Sequence, residues 1–224
     1  MRDDGPVGRL LSRRQAVALL ATTGAMSLTR GWAATEASPT CVVLPHQTEG
    51  PFFVDEQLER SDIRSDPETR AVKAGAPLAL AFAVSQLSGR RCAPLAGAQI
   101  DVWHCDALGA YSLNGQKFLR GYQRTDEAGN ARFLTIFPGW YAGRAVHIHF
   151  KIRAPGDREF ASQLYFDDRL TDRVHATEPY GARGQRRLRN QDDGIFRRGG
   201  EQLMPIVTSA GERYAASFAV ALAT

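Results

Sequence analysis

The sequence predicts an all-β protein, an antiparallel β-sandwich with long loops and little helix. Several stretches alternate apolar with small or polar residues at period two, the pattern of strands with one buried face. Turn-forming residues separate these stretches. Beyond the first thirty or so residues, none shows the sustained 3.6-residue periodicity of a long amphipathic helix. With 224 residues, 43% of them hydrophobic, the chain can bury one sizeable core. There is no internal repeat, no low-complexity linker and no apolar run long enough to span a bilayer.

Residues 1–33 read as a signal peptide rather than as part of the fold. Ser12-Arg13-Arg14-Gln15 precedes the apolar run Ala16 to Ala21, and a small-residue stretch leads to Ala33-Ala34. The arginine pair resembles a twin-arginine export signal, although Ala16 stands where a bulky apolar residue is usual. The expected location is therefore outside the cytoplasm, periplasmic or secreted. The formal charge of +4 owes much to this segment, which holds five arginines and two aspartates. Without it, 28 basic residues fall to 23 and 24 acidic residues to 22, which argues against nucleic acid as a partner. The basic run from Arg183 to Arg189 reads as a solvated loop. Of Cys41, Cys92 and Cys105, an oxidising compartment would allow one pair. Cys92 with Cys105 is preferred because they flank one short segment, and three free buried thiols is the alternative. No CxxC or CxxH spacing suggests a zinc finger.

Residues 34–76 form an irregular N-terminal arm, and residues 77–224 the sandwich domain. Within the arm, Gly50-Pro51-Phe52-Phe53 suggests a fixed extended segment packed over the domain. Leu78, Leu80, Phe82 and Val84 alternate with Ala79, Ala81, Ala83 and Ser85, giving the first strand, which Ser88-Gly89 ends. Ala98 to Cys105 is a second strand, with Ile100 and Val102 on one face and Asp101 and Trp103 on the other. Residues 112–123 read as a long polar loop. Asp126-Glu127-Ala128-Gly129 turns into a strand from Arg132 to Phe137. A strand through Val146 to Phe150 and another over residues 162–166 follow. Residues 167–200 read as charged loops with a short helical turn. Tyr214, Ala216, Phe218, Val220 and Leu222 alternate with small residues in the last strand.

Chemistry concentrates in Val146-His147-Ile148-His149-Phe150. On a strand His147 and His149 share one face, while the apolar residues point the other way into a core. Two of five histidines on one face suit a metal ion, but the spacing does not name the metal. Tyr111 and Tyr141, near strand ends, add two phenols. Phenolate is a hard anionic donor that suits Fe(III), whose charge depresses the phenol pKa from its usual value of about 10. His104 reads as a packed strand residue, and His46 and His175 have no evident partner.

Beyond these residues, the sequence resembles the intradiol ring-cleavage dioxygenases, the group of the catechol 1,2- and protocatechuate 3,4-dioxygenases. The resemblance covers about residues 45–222. It rests on Thr48 to Phe53, Asp101-Val102-Trp103 through Gly109-Ala110-Tyr111, Arg124-Thr125-Asp126 with Gly129, Ile136 to Tyr141, Arg144 to Phe150 and Gln163 to Phe166. It implies a non-haem Fe(III) held by Tyr111, Tyr141, His147 and His149, with Tyr141 leaving the iron when substrate binds. Arg144 and Gln163 would stand beside the substrate, Arg144 stabilising negative charge. Gly50, Pro51 and Phe53 would lie near the pocket mouth. The implied reaction is O2-dependent cleavage of a catechol-type diol to a cis,cis-muconate-type diacid. The alternatives are a non-catalytic extracytoplasmic module binding aromatics or metal, and a zinc or copper hydrolase or oxidase that leaves both tyrosines unexplained. Only residues 34–76 precede the first clear strand, so the long helical region of the catechol 1,2-dioxygenases has no counterpart here. Homo-oligomerisation is left open, as is which diol is cleaved.

Overall fold

The structure is a computed structural model and describes residues 41, 43–156 and 158–223. The signal segment 1–33 lies outside the described residues. Nine strands form two sheets. The first contains β1 (Pro77–Ser88), β2 (Arg91–Pro94), β5 (Asn130–Ile136), β8 (Ile206–Ala210) and β9 (Arg213–Ala223). The second has the order β4 (Arg120–Arg124), β3 (Gln99–Trp103), β6 (His147–Ala154), β7 (Arg158–Tyr165). Every pairing is antiparallel except β1 with β9, which run parallel.

The period-two pattern explains the core. Leu78, Leu80, Phe82 and Val84 of β1 are buried, as are Ile100 and Val102 of β3 and Ile148, Phe150 and Ile152 of β6. The sheets meet through Phe82, Phe150 and Phe218, with Phe82 and Phe150 centroids 5.4 Å apart and Phe150 and Phe218 5.6 Å apart. Full burial of one such side chain contributes about 1.5–3 kcal/mol.

The opposite face of the second sheet is covered as well, so all five residues of β3 are buried. The arm supplies part of that cover through Phe53, which packs on Trp103, and it also bonds along the edges of β4 and β5. Arg60 N–H donates to Tyr122 O at 3.0 Å, Tyr122 N–H donates to Leu58 O at 2.8 Å, and Ile63, fully buried, bonds Leu134 O at 3.0 Å. Pro51 and Phe52 form a turn, not the extended segment expected.

Two further expectations are corrected. Cys41, not Cys105, pairs with Cys92, tying the arm to β2. Cys105 is free and buried behind the Pro138-Gly139 turn, with its Sγ 3.4 Å from Gly139 O. The loop at 112–123 gives way to β4 at Arg120. This Arg-Gly-Tyr-Gln-Arg strand lacks apolar alternation and is held by β3 on one side and the arm on the other. β8 was also not anticipated, being short and exposed at the edge beside β9. Between residues 167 and 205 lie α1 (Asp168–His175), capped by Asp167, and three short 3-10 turns. No helix among the described residues is long and apolar enough to cross a membrane.

Candidate active site

Strand register builds the site. Trp103 of β3 is opposite His149 of β6, which is opposite Gln163 of β7, and His147 is opposite Tyr165. Residues two apart share a face, so both rows project on the side away from the sandwich core. Trp103 and His149 stack at 5.0 Å with planes 4° apart.

Tyr111 and Tyr141 come from two loops that pack together. Asp106 organises the first loop, its Oδ1 accepting from Leu108 N–H at 3.0 Å and Ala110 N–H at 2.9 Å. The second is the Pro138-Gly139-Trp140-Tyr141 turn. A Cβ on Gly139 would collide with the Asp106 and Ala107 carbonyls, so glycine lets the two loops meet. The tyrosine rings are 5.6 Å apart, and Phe52 stacks on Tyr111 at 4.2 Å.

The polar atoms converge without a full set of partners. His147 Nδ1 lies 2.6 Å from Ala145 O and must donate to it, which leaves Nε2 as a bare acceptor in the neutral ring. That Nε2 faces His149 Nε2 at 3.0 Å, and the Tyr141 hydroxyl stands 3.2 Å away. The Tyr111 hydroxyl is buried with no hydrogen-bond partner, and so is His149 Nδ1. Burial, reinforced by the Arg144 charge, pushes the His147 pKa down to about 3. Burial, then His147 itself, holds His149 well below its ordinary value. Burial raises both phenols, Tyr111 most.

Two neutral imidazoles and two phenols aimed at one place fit a cation. An unsatisfied buried polar group costs about 1–3 kcal/mol, which a bound ion would relieve. Among the described residues no three His, Cys, Asp or Glu side chains cluster to hold a metal, so the tyrosines are needed to complete a site around the histidines. A set of two nitrogens and two potentially anionic oxygens suits a hard, highly charged ion.

Arg144 reaches the histidine face from the loop before β6. Its Nη2 donates to Gln163 Oε1 at 2.5 Å, and its Nε donates to Asp193 Oδ2 at 2.9 Å. Gln163 Nε2 donates to Thr48 O at 2.9 Å, so Gln163 is held between Arg144 and the arm. Beside Tyr141 and Arg144 opens a pocket of about 360 Å³, walled also by Trp140, Arg187 and Leu188. Gly50, Pro51 and Phe53 are not among its walls. Gly50 lies against the His149 ring, Pro51 is exposed, and Phe53 packs on Trp103 at 4.8 Å. His175, without an evident partner in the sequence, bonds Pro138 O at 3.0 Å and stacks on Tyr180.

Sequence reasoning missed Phe52, Asp193, Tyr165 and Trp103 as parts of the site. Trp103 and Tyr165 could have been found by extending the two-residue alternation across neighbouring strands. Asp193 sits in a charged loop with no local signal.

Known proteins share this arrangement of strands and loops. A family model described as Dioxygenase matches residues 48–145, which include Tyr111, Tyr141 and Arg144 but stop short of the two histidines. An intradiol ring-cleavage dioxygenase from Tetranychus urticae superposes with a TM-score of 0.73 at 28% identity, over 81% of this chain and 94% of that one. The dioxygenase domain of a carbohydrate-binding fusion from Streptomyces sp. SirexAA-E is 30% identical, over 82% of this chain and 99% of that domain, with a TM-score of 0.62. The chain belongs to the intradiol ring-cleavage dioxygenases. Among the curated members of the family, the chlorocatechol 1,2-dioxygenase of Rhodococcus opacus is 31% identical over 143 residues, 53% of this chain and 54% of that protein. The chain spans about half the length of the curated relatives it matches. Intradiol dioxygenases use non-haem iron, and the donor set at Tyr111, Tyr141, His147 and His149 fits it.

Proposed function

We propose that the protein cleaves catechol-type diols between their two hydroxylated carbons with O2, giving a cis,cis-muconate-type diacid. The observation that carries this is the approach of the His147 and His149 Nε2 atoms to 3.0 Å, with the Tyr141 hydroxyl 3.2 Å from His147 Nε2 and the buried Tyr111 hydroxyl left without a partner. Tyr111, Tyr141, His147 and His149 would hold Fe(III). When bound, the ferric ion would draw electron density from a chelated diol and make its ring reactive towards O2.

The chain's own groups divide the remaining work. Tyr141 is half-buried and lines the pocket, so it is the ligand placed to turn outward and accept a diol proton at its Oη. Arg144 presents a fixed positive charge, oriented by Asp193 and Gln163, for negative charge developing on the ring. Phe52, Phe53 and Trp103 pack with Tyr111 and exclude water on the side away from the pocket. Gln163 is a positioning residue, with its amide occupied by Arg144 and the arm.

Export through a twin-arginine signal belongs to the same proposal. A Cys41–Cys92 disulfide supports it, because such bonds persist in oxidising compartments. The test of function is a visible spectrum of the iron-loaded protein under argon. A tyrosinate-to-iron band that shifts on adding catechol, followed by ring cleavage on admitting O2, is expected. A sample that stays colourless after iron loading would overturn the assignment.

A further inference from the structure

The run from Arg183 to Arg189 holds four arginines, and the structure gives three of them partners. The Arg183 guanidinium stacks over Trp140 at 4.6 Å. Arg186 is buried and pairs with Asp168 at 2.7 Å and Asp172 at 3.0 Å. Arg189 pairs with Asp172. Neither Arg183 nor Arg187 has a hydrogen bond or ion pair among the described residues, but Arg187 lacks a ring contact as well, and it stands exposed in the wall of the pocket beside Tyr141 and Arg144. The segment is the exposed loop expected along most of its length, but it is anchored at Arg186. Arg186 fixes it by donating to Leu188 O at 3.1 Å and Asp168 O at 3.0 Å, which sets Arg187 and Leu188 in the pocket wall.

The pocket is larger than a single diol ring requires. About 360 Å³ falls within the range of about 300–1,000 Å³ typical for drug-sized ligands. Trp140 offers a flat apolar wall, held in place by its indole N–H donating to Gly184 O at 3.1 Å and by Arg183. Leu188 adds a second apolar surface. The other cations at the pocket are engaged, whereas the one carboxylate in its lining, Asp192, has no ion pair among the described residues. Arg144 is paired with Asp193, Arg186 with its two aspartates, and the Asp192 carboxylate accepts from the Arg189 N–H. An apolar pocket with one uncommitted guanidinium at its rim suits a ligand with a flat hydrophobic body and an anionic end.

We propose that Arg187 is a specificity-determining residue that recognises an anionic side chain carried by the diol beyond its ring. The inference rests on the ring-cleavage reading and extends it to a substrate class, catechols bearing a carboxylate on an extended substituent. Trp140 and Leu188 would pack along the substituent, and Arg187 would pair with its carboxylate.

The test compares 3,4-dihydroxycinnamate with its neutral methyl ester and with catechol, using the full chain loaded with iron. Cleavage is followed in air, and dissociation constants are measured by calorimetry under argon. The acid is expected to bind about two- to fivefold tighter than the ester, the range of an exposed charge pair. The difference should appear in KM rather than kcat and shrink as salt rises. Arg187→Gln should bring acid and ester together. Equal binding of acid and ester by the unaltered protein, with catechol still cleaved, would overturn this inference and leave ring cleavage standing. So would an acid preference that survives both high salt and Arg187→Gln. Failure to cleave any of the three diols would overturn the reading on which the inference rests.

Discussion

Asp193 holds Arg144 and its neighbour together: its Oδ2 accepts from Arg144 Nε at 2.9 Å and from the N–H of the next residue, Ala145, at 2.8 Å. One carboxylate thus fixes both the guanidinium and the backbone entering β6. Burial opposes the charge on Asp193, but the Ala145 and Ile195 N–H groups and Arg144 outweigh it and lower its pKa. Asp193→Ala would leave the Arg144 charge half-buried and unpaired. The expected loss is about 3 kcal/mol, read from urea unfolding. Asp193→Asn, which keeps an acceptor, should lose less.

Arg144→Ala isolates the role of the guanidinium. Turnover of catechol should fall by about 10²–10³, the range for removing a preorganised charge-stabilising group. Iron content and the tyrosinate band should persist, because Arg144 is not a ligand. Wild-type turnover would remove Arg144 from the chemistry.

The sandwich was legible because burial on one face writes a period of two into β1, β3, β6 and β9. The His147–His149 pair was legible for the same reason. β4 was not, because Arg120 to Arg124 is polar and contains Gly121, whose bare α-carbon lets Ile63 and Arg60 of the arm approach closely. Its strand state comes from pairing with β3, a tertiary effect that local pattern cannot carry. The disulfide was misassigned for a related reason. Nearness in sequence favoured Cys105, whereas the fold brings Cys41 and Cys92 together across 51 residues. Arg186 read as part of a solvated run because its ion pairs with Asp168 and Asp172 exist only once α1 is in place.

Acid should weaken the fold through His104. This buried ring has Nδ1 2.8 Å from Cys105 O and Nε2 2.6 Å from Thr135 Oγ1. Burial lowers its pKa from 6.5 to about 4, against a smaller opposing effect of the Cys105 carbonyl and Asp106. Between these values the unfolded chain binds the proton and the folded one does not, so stability rises with pH. The contribution is full above pH 6.5 and is lost as pH falls towards 4, amounting to about 3 kcal/mol. Urea unfolding from pH 7.5 to 4 would show the slope, and His104→Gln should reduce it without abolishing it, since buried His147, His149 and His175 are lowered in the same direction.

Reducing the Cys41–Cys92 bond should destabilise the protein by about 2–4 kcal/mol, since the bond closes a long loop in the unfolded chain. The measurement is the urea midpoint with and without a reducing agent. Buried Cys105, its thiol pKa pushed up to about 12 by burial and then by Asp106, should stay unreactive towards thiol reagents until the chain unfolds.

Gly50 links the arm to the His149 ring through bare backbone. Its φ is +75°, and a Cβ there would stand 3.0 Å from His149 Cε1. Gly50→Ala should therefore do two things: strain the backbone by about 1–2 kcal/mol and push the His149 ring off its stack with Trp103. Gly89→Ala separates them. Gly89 has φ +60°, and a Cβ there would meet nothing within 4 Å, so it carries the backbone strain alone. Both variants should lower the urea midpoint by similar amounts. Gly50→Ala alone should weaken iron retention and shift the tyrosinate band. Equal iron binding by the two would mean that His149 tolerates the added methyl and that the arm does not set its position.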